Sequence, residues 1–394
     1  MSQTSPKIPR VLVLFADTGA GHRSAGEAII EALNLEYHGQ VETDMVDFFK
    51  NYAPPPLNMA GPTYPAMSNM RMLWKMGYEI IDGRRRSKFL FDMLWPYVKT
   101  ATARLLEEHP CDMIVSVHSM VNNPVLRALD KPIPYLTVVT DMVSTPAHWY
   151  NPKADMIVVA TQAAYDRGIK LGIPAEKMQI IGLPIADRYC HPTKDRAALR
   201  RQLGWPQNVP IILLIGGGEG MGPLERNAVA IDKTRLNALQ VIVAGRNKKL
   251  MNKLEQRHWH TPPLVYGFTR EMPAFMQAAD FIVTKAGPGT ISEAFVPGLP
   301  IIIYSRVPGQ EEGNVTHVVD NGAGVWAPQP SDVVAALRNW LTHPAELRKA
   351  RQASLSLARP ESSRQIARLI AERLGLQPAN QSQPVLAAEE TPVP

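Results

Sequence analysis

Short, nearly continuous runs of Val, Ile and Leu alternate with helical patterns along the chain. Strands that are buried on both faces of a parallel sheet give such runs, because none of their residues faces water. The alternation of these runs with helices predicts an α/β fold. The predicted strands cover residues 10–15, 41–46, 112–117, 134–139, 155–160, 210–215, 240–244, 264–266, 280–284 and 300–304.

The predicted strands form two series, one in each half of the chain, which indicates two Rossmann-like domains. The linker between them is predicted near 184–208. We expect an N-terminal domain over 1–190 and a C-terminal domain over 191–355, followed by a helix over 356–375 that packs back on the N-terminal domain. The tail over 376–394 is rich in Pro, Gln and Ser, which predicts disorder.

Composition and charge narrow the class of protein. Of the 394 residues, 45% are hydrophobic and 20% are charged, which is typical of a globular protein with sizeable cores. The formal net charge of +6 favours anionic partners, namely nucleotide phosphates, anionic lipid surfaces or nucleic acid, and does not choose among them. Only two cysteines are present, Cys111 and Cys190, so we expect a reducing compartment. The N-terminus does not resemble a signal peptide, and no uncharged apolar run reaches the roughly 18 residues of a spanning helix.

The first candidate site is the stretch "DTGAGHRS", which joins a predicted strand to a predicted helix. Gly19 and Gly21 nearly fit the G-x-G-x-x-G motif, but Ser24 replaces the third glycine. The stretch could therefore be only a tight turn. His22 favours a functional interpretation, because ligands of open α/β sheets bind at the carboxyl ends of strands. A neutral imidazole there can accept a proton from a substrate hydroxyl, and a helix N-terminus disfavours the imidazolium.

Two glycine-rich stretches follow strands in the second half. Residues 215–224, "IGGGEGMGPL", lack the ending of a P-loop but leave backbone N–H groups open to an anion, unless the stretch is simply a flexible loop. In "TKAGPGTISEA", Gly287 and Gly289 allow close approach of a diphosphate to a helix N-terminus. Thr290 and Glu293 fit a helix capping box, whereas Glu293 could instead accept hydrogen bonds from ribose hydroxyls. The sequence leaves both roles of Glu293 open.

A fourth candidate site, "VPGQEEGN", follows the predicted strand at 300–304. Gln310, Glu311 and Asn314 offer the mixture of donors and acceptors that sugar hydroxyls require. The same composition is also typical of a polar surface loop.

These stretches together resemble one family. "GGGEGMGPL", "AGRNKKL", "YGFTREM", "TKAGPGTISEA" and "GLPIIIYSRVPGQEEGN" resemble the C-terminal domain of monogalactosyldiacylglycerol synthases, and "DTGAGHRSAGEAI" and "TDMVSTPAHWY" resemble N-terminal blocks of that family. The resemblance runs from about residue 10 to 375. It extends to the processive diacylglycerol glucosyltransferases and, more remotely, to the transferase that completes the lipid-linked peptidoglycan precursor.

The resemblance implies a GT-B fold, in which two Rossmann-like domains face a central cleft. It implies an inverting reaction without metal or cofactor, in which UDP-sugar is a substrate held mainly by the C-terminal domain. His22 would be the catalytic base or its close aid, and Asp141 and Trp149 would lie on the acceptor side. The donor would be bound by Gly21, Gly220, Arg246, Phe268, Met272, Gly287, Pro288, Gly289, Thr290, Glu293, Gln310, Glu311 and Asn314.

Diacylglycerol, the acceptor that the family implies, remains in the bilayer, so we expect the protein to dock on a membrane. Segment 52–100 is rich in Met, aromatic residues and Arg. Trp74 would insert into the membrane, and Arg84, Arg85 and Arg86 would contact anionic lipids. An apolar core stripe with a solvated basic loop would give the same composition. We expect a peripheral protein on the cytoplasmic face of the membrane, with no nucleic-acid partner.

The sequence thus predicts transfer of galactose from UDP-galactose to the 3-hydroxyl of 1,2-diacylglycerol. Glucose differs from galactose at one stereocentre, so a UDP-glucose-dependent diacylglycerol glucosyltransferase is the first alternative. A UDP-sugar 2-epimerase and a non-catalytic nucleotide-sugar sensor are alternatives from other classes.

Overall fold

A computed structural model of the chain describes residues 7–17, 20–53, 58, 95–193, 195–220 and 222–378. Trp74, Arg84, Arg85 and Arg86 lie outside the described residues, so their predicted membrane role stays a prediction. Among the residues that are described, no helix is both long and apolar enough to cross a membrane.

The N-terminal lobe is built on a six-stranded parallel sheet in the order β2-β1-β3-β4-β5-β6. Its strands are β1 (Arg10–Phe15), β2 (Glu42–Asp47), β3 (Met113–Ser116), β4 (Tyr135–Val138), β5 (Met156–Val159) and β6 (Met178–Ile180). Its helices are α1 (Ala20–Glu36), α2 (Phe48–Tyr52), α3 (Trp95–Glu108), α4 (Ser119–Ala128) and α5 (Gln162–Lys170). Single-turn 3₁₀ helices span Ala147–Trp149 and Ala175–Lys177.

The C-terminal lobe is built on a second six-stranded parallel sheet in the order β12-β11-β10-β7-β8-β9. Its strands are β7 (Ile211–Ile215), β8 (Leu239–Val243), β9 (Leu264–Tyr266), β10 (Phe281–Lys285), β11 (Ile301–Ser305) and β12 (Gly324–Trp326). The helices of the linker and of this lobe are α6 (Asp187–Cys190), α7 (Arg196–Gln202), α8 (Leu224–Lys233), α9 (Lys248–Glu255), α10 (Met272–Ala278), α11 (Pro288–Phe295), α12 (Glu312–Asp320), α13 (Pro330–Thr342) and α14 (Pro344–Leu357).

The last described helix, α15 (Ser362–Leu374), returns to the N-terminal lobe and packs against α1. Ile366 and Ile370 are fully buried in the same core cluster as Ile29 and Leu33 of α1. The face of the first sheet that carries α1 is therefore completed by residues from the other end of the chain.

The strand order of each sheet reverses at one point, between β1 and β3 in the first sheet and between β7 and β10 in the second. Ligands of open α/β sheets bind beyond the carboxyl ends of strands at such a reversal. His22 follows β1, and the candidate stretches 215–224 and 284–294 begin at the carboxyl ends of β7 and β10. Three of the four candidate stretches therefore begin where the topology favours a ligand.

Candidate functional site

His22 lies in the first turn of α1, and its ring orientation is set by the neighbouring strand end. Its Nδ1 lies 2.9 Å from the carbonyl oxygen of Val117, which directly follows β3, and 2.8 Å from the hydroxyl of Thr140. A carbonyl can only accept, so Nδ1 carries the proton and donates it to this oxygen. The neutral imidazole then has its lone pair on Nε2. This is the tautomer that a general base requires.

The surroundings of His22 keep its ring neutral. Burial lowers the pKa of His22, although the carboxylates of Asp141 and Asp17 and the carbonyl of Val117 act in the opposite direction. The His118 ring meets the His22 ring edge-on, with the two centroids 4.5 Å apart. Burial lowers the pKa of His118 even further, and the nearby His22 and His148 add to that effect. Two adjacent neutral imidazoles therefore line this part of the site.

Asp141 is a buried carboxylate held by one residue from each lobe. Its Oδ2 accepts a hydrogen bond of 2.7 Å from the indole Nε1 of Trp149, and its Oδ1 accepts one of 3.2 Å from the side-chain Nε2 of Gln310. Trp149 is fully buried, so its contact is with Asp141 and the core rather than with the open cleft. Burial raises the pKa of Asp141, while its hydrogen bonds and His22 lower it.

The two lobes meet at this point. Besides the bond between Gln310 and Asp141, the backbone N–H of Gly313 donates to the hydroxyl of Ser144 over 3.0 Å. A Cβ atom at Gly313 would lie only 2.6 Å from a methyl carbon of Val143, so the close approach requires glycine. The start of α12 thus touches the segment after β4, which brings candidate residues of the two lobes into contact.

The glycine turn after β7 is tightly folded against the end of β8. Gly220 has a φ of +57°, and a Cβ atom there would lie 2.1 Å from the carbonyl oxygen of Ala244. Arg246 follows this strand end, forms an ion pair of 2.7 Å with Glu219 and lies over the ring of Phe268 at 4.5 Å from its centroid. Phe268 is 60% exposed, so one side of this stacked pair is open.

Helix α11 begins at Pro288 with Gly287 as its N-cap. The predicted capping box of Thr290 and Glu293 is therefore wrong, because Thr290 lies within the first helical turn. Gly289 has open space where a side chain would project. Within the described part of the chain, no side chain caps the first N–H groups of α11, which is the arrangement that favours an anion.

Glu293 is consequently available for another role. Burial raises its pKa to about 7, against the effects of Arg188 and a hydrogen bond with Tyr189. A carboxyl group with such a pKa can accept or donate a hydrogen bond near neutral pH. Its predicted contact with a ribose stays a prediction, and the competing cap role is removed.

The three residues predicted to contact the hexose, Gln310, Glu311 and Asn314, lie in different environments. Asn314 is buried and donates from Nδ2 to the carbonyl of Ala286 over 2.9 Å, while its Oδ1 has no hydrogen-bond partner among the described residues. The Oε1 of Gln310 is likewise buried without a partner in the described part of the chain. Glu311 already accepts bonds on both oxygens, from Lys285 and from the backbone of Val307, so a hexose contact would have to share them.

Two further residues that were predicted to bind the donor, Gly21 and Met272, lie at the starts of helices. Gly21 is exposed in the first turn of α1, beside His22. Met272 is half-buried and begins α10, shortly after Phe268. The sequence pattern assigned no catalytic or binding role to Thr140 or Lys285, although both of them lie at or just beyond the carboxyl end of a strand. Their positions relative to the strand ends were the available signal.

Comparison with family models matches both lobes. Residues 22–185 match the model "Monogalactosyldiacylglycerol (MGDG) synthase", and residues 211–371 match the "Glycosyltransferase family 28 C-terminal domain". The chain is 35% identical over 383 residues to a probable monogalactosyldiacylglycerol synthase 2, chloroplastic, of Oryza sativa subsp. indica, covering 94% of this chain and 81% of the relative. It is also 35% identical over 366 residues to monogalactosyldiacylglycerol synthase 1, chloroplastic, of Arabidopsis thaliana, covering 90% and 69%.

Solved structures resemble the whole chain at low identity. A structure of S. aureus MnaA with UDP has a TM-score of 0.63 and 15% identity, and covers 94% of this chain and 98% of its own. A structure of Acinetobacter baumannii MurG has the same TM-score and identity, with coverages of 92% and 99%. Likeness at this identity concerns the fold. Together with the two six-stranded parallel sheets, it confirms the predicted two-domain GT-B fold.

Proposed function

Because the chain belongs to the monogalactosyldiacylglycerol synthase family, we propose that it transfers galactose from UDP-galactose to the 3-hydroxyl of 1,2-diacylglycerol. The observation that carries this proposal is the tautomer of His22, whose Nδ1–H is held by the Val117 carbonyl. Nε2 can then take the proton of the acceptor hydroxyl as that oxygen attacks the anomeric carbon. The bond from the anomeric carbon to the β-phosphate oxygen breaks on the opposite face, which inverts the configuration.

The C-terminal lobe supplies the surface for the donor in this proposal. The open side of the pair formed by Phe268 and Arg246 suits a flat pyrimidine ring. The N-terminus of α11 suits the diphosphate, and Glu293 suits the ribose. The oxygens of Gln310 and Asn314 that have no partner among the described residues suit hexose hydroxyls, which can donate hydrogen bonds to them. The proposal requires neither a metal nor a cofactor, since these dipoles and charges stabilise the leaving UDP.

One assay tests the donor, the acceptor and the base together. The purified chain is incubated with diacylglycerol in anionic vesicles and with either UDP-galactose or UDP-glucose, and the product is identified by mass and linkage. Galactolipid as the main product supports the proposal, whereas glucolipid as the main product would show that the transferred sugar is glucose. Activity on a UDP-sugar without any lipid acceptor would favour an epimerase, and UDP-sugar binding without turnover would favour a sensor.

The base is tested in the same assay with His22→Ala. We expect turnover to fall by at least about 100-fold, in the range reported for general bases, while affinity for UDP is retained. His38→Ala is the matched control, because His38 is exposed just beyond the end of the same helix. Near-normal turnover in His22→Ala would remove this residue from the mechanism.

We also propose that the chain docks on the cytoplasmic face of a membrane through segment 52–100. The support is compositional, namely the basic run at residues 84–86 among Met and aromatic residues. Changing Arg84, Arg85 and Arg86 to Ser should weaken sedimentation with anionic vesicles and leave UDP affinity unchanged. Undiminished vesicle binding would contradict this assignment.

A further inference from the structure

The family resemblance places Arg246 among the donor-binding residues, and in the structure its guanidinium lies away from the N-terminus of α11. Its guanidinium is paired with Glu219 and lies over Phe268, which is the surface that suits the pyrimidine. The α11 N-terminus contributes only partial charges, equivalent to about half an elementary charge. A departing UDP carries more negative charge than that, so a side-chain cation close to this helix end would matter.

Lys285 provides such a cation. It is the last residue of β10, and a Cβ atom built on Gly287, the N-cap of α11, would lie 3.0 Å from its Nζ. A Cβ atom built on Gly217, in the turn after β7, would lie 3.4 Å from its Cε. The lysine side chain therefore passes between the two glycine turns at the reversal point of the second sheet, and both turns leave room for it by lacking side chains.

Two features fix the lysine in this place. The register of β10 against β11 shifts between Thr284 and Lys285, and such irregularities re-aim side chains at strand ends. The Nζ of Lys285 donates to Glu311 Oε1 over 2.7 Å, and Glu311 Oε2 accepts from the Val307 N–H over 2.8 Å. Glu311 is buried and the lysine side chain is 23% exposed, so the pair is anchored at its acidic end and open at its basic end.

We propose that Lys285 binds the β-phosphate of the donor and stabilises the departing UDP, with Glu311 as the positioning residue that holds the lysine. The inference rests on the proposed UDP-sugar donor. In the transfer step, the acceptor oxygen forms the new bond to the anomeric carbon, and its proton passes to His22 Nε2. The electron pair of the broken bond remains on the β-phosphate oxygen of UDP. Lys285 stays protonated and donates a hydrogen bond to that phosphate.

The test compares UMP with UDP, which differ only in the β-phosphate. Affinities of UMP and UDP are measured by calorimetry for the wild-type chain and for Lys285→Met. We expect UDP affinity to fall by about 10- to 100-fold, the range of one hydrogen bond to a charged group, and UMP affinity to change by less than about threefold. Lys253→Met is the matched control, because Lys253 is an exposed lysine of the same lobe, 3.8 Å from Glu225. It should bind both nucleotides normally.

A second variant covers the case in which Lys285→Met disturbs the fold by leaving the buried Glu311 without its cation. The double variant Lys285→Met with Glu311→Gln removes both charges, and we expect the same selective loss of UDP affinity. Equal losses for UMP and UDP in the double variant, or no loss for either nucleotide, would overturn the role of Lys285. A wild-type chain that binds neither nucleotide would instead refute the UDP-sugar donor itself.

Discussion

At the scale of single residues, the chemistry of the site depends on which nitrogen of His22 carries the proton. The sequence singles out His22 as the candidate base, because a histidine between a strand and a helix is a recognisable pattern, and that role stays a prediction. It could not predict the tautomer, since the bonding partners of Nδ1, Val117 and Thr140, are 95 and 118 positions away in the chain. The role of Lys285 was hidden for the same reason, because its anchor, Glu311, is 26 residues further on.

The pH dependence of activity follows from the pKa of His22. Burial lowers this pKa, and the base acts only when its ring is neutral, so activity should be lost only as pH falls below the ordinary value of about 6.5. Asp141 raises the pKa of His22, so Asp141→Asn should move the acid limb of kcat/KM to still lower pH. Profiles of kcat/KM against pH for the wild type and Asp141→Asn measure both effects.

Asp166→Asn is the control for this profile, because it removes a carboxylate from the exposed face of α5 and should leave the acid limb in place. Other groups that face His22 are His118 and Asp17, and both are unchanged in these variants. An acid limb at or above pH 6.5, or a shift to higher pH in Asp141→Asn, would contradict the assignment of the limb to His22.

At the scale of elements, all the central strands were predictable, whereas the edge strands were predicted only in part: β2 and β9 were found, but β6 and β12 were missed. The ten predicted strands overlap ten of the twelve observed ones, and most of these are apolar runs because both of their faces are covered. The two strands that the sequence pattern missed, β6 and β12, are three residues long and lie at the outer edges of their sheets. For α11, the better start signal was Pro288, since proline favours the first helical position, and not the pattern of Thr290 and Glu293.

The two glycines of the donor side should respond differently to substitution. Gly220→Ala places a side chain at positive φ against the Ala244 carbonyl, so we expect the free energy of unfolding to fall by about 1–3 kcal/mol or more. Gly289→Ala lies in a helical turn with open space around it, and it should raise that free energy by up to about 1 kcal/mol. Denaturation in urea measures both values.

The affinity for UDP should also distinguish Gly289→Ala from Gly220→Ala. The methyl group of Gly289→Ala would occupy the space proposed for the diphosphate, so affinity for UDP should fall although stability does not. A destabilised Gly289→Ala, or a Gly220→Ala as stable as the wild type, would contradict the backbone roles assigned to these turns.

At the scale of the whole molecule, the two lobes are linked in ways that local patterns cannot show. The alternation of strands and helices predicted two Rossmann-like units. It did not indicate that Gln310 bonds Asp141 across the cleft, because these residues are 169 positions apart. The amphipathic pattern of 362–374 is that of a surface helix, and nothing local in it identifies α1 as its partner.

The return of α15 to the N-terminal lobe depends on its apolar face more than on its charges. Arg364 pairs with Asp187 over 2.8 Å and Arg368 with Glu36 over 3.1 Å, but partly exposed pairs contribute only about 0–1 kcal/mol each. Ile366 is fully buried, and its replacement by Ala should lower the free energy of unfolding by about 2–5 kcal/mol. Leu355→Ala, on the exposed face of α14, is the control and should cost much less.

The part of the protein that Ile366→Ala destabilises shows which lobe α15 supports. If α15 belongs to the N-terminal lobe, the loss of stability lies there and not in the C-terminal lobe. Ile366 packs in one core cluster with α1 and the first sheet. Hydrogen exchange in Ile366→Ala should therefore become faster in peptides from α1, β1 and β3, while peptides from β7, β10 and β11 retain their protection. Faster exchange confined to the second sheet would show that α15 stabilises the other lobe. Because α1 carries His22, the expected pattern would also mean that the end of the chain supports the helix that holds the proposed base.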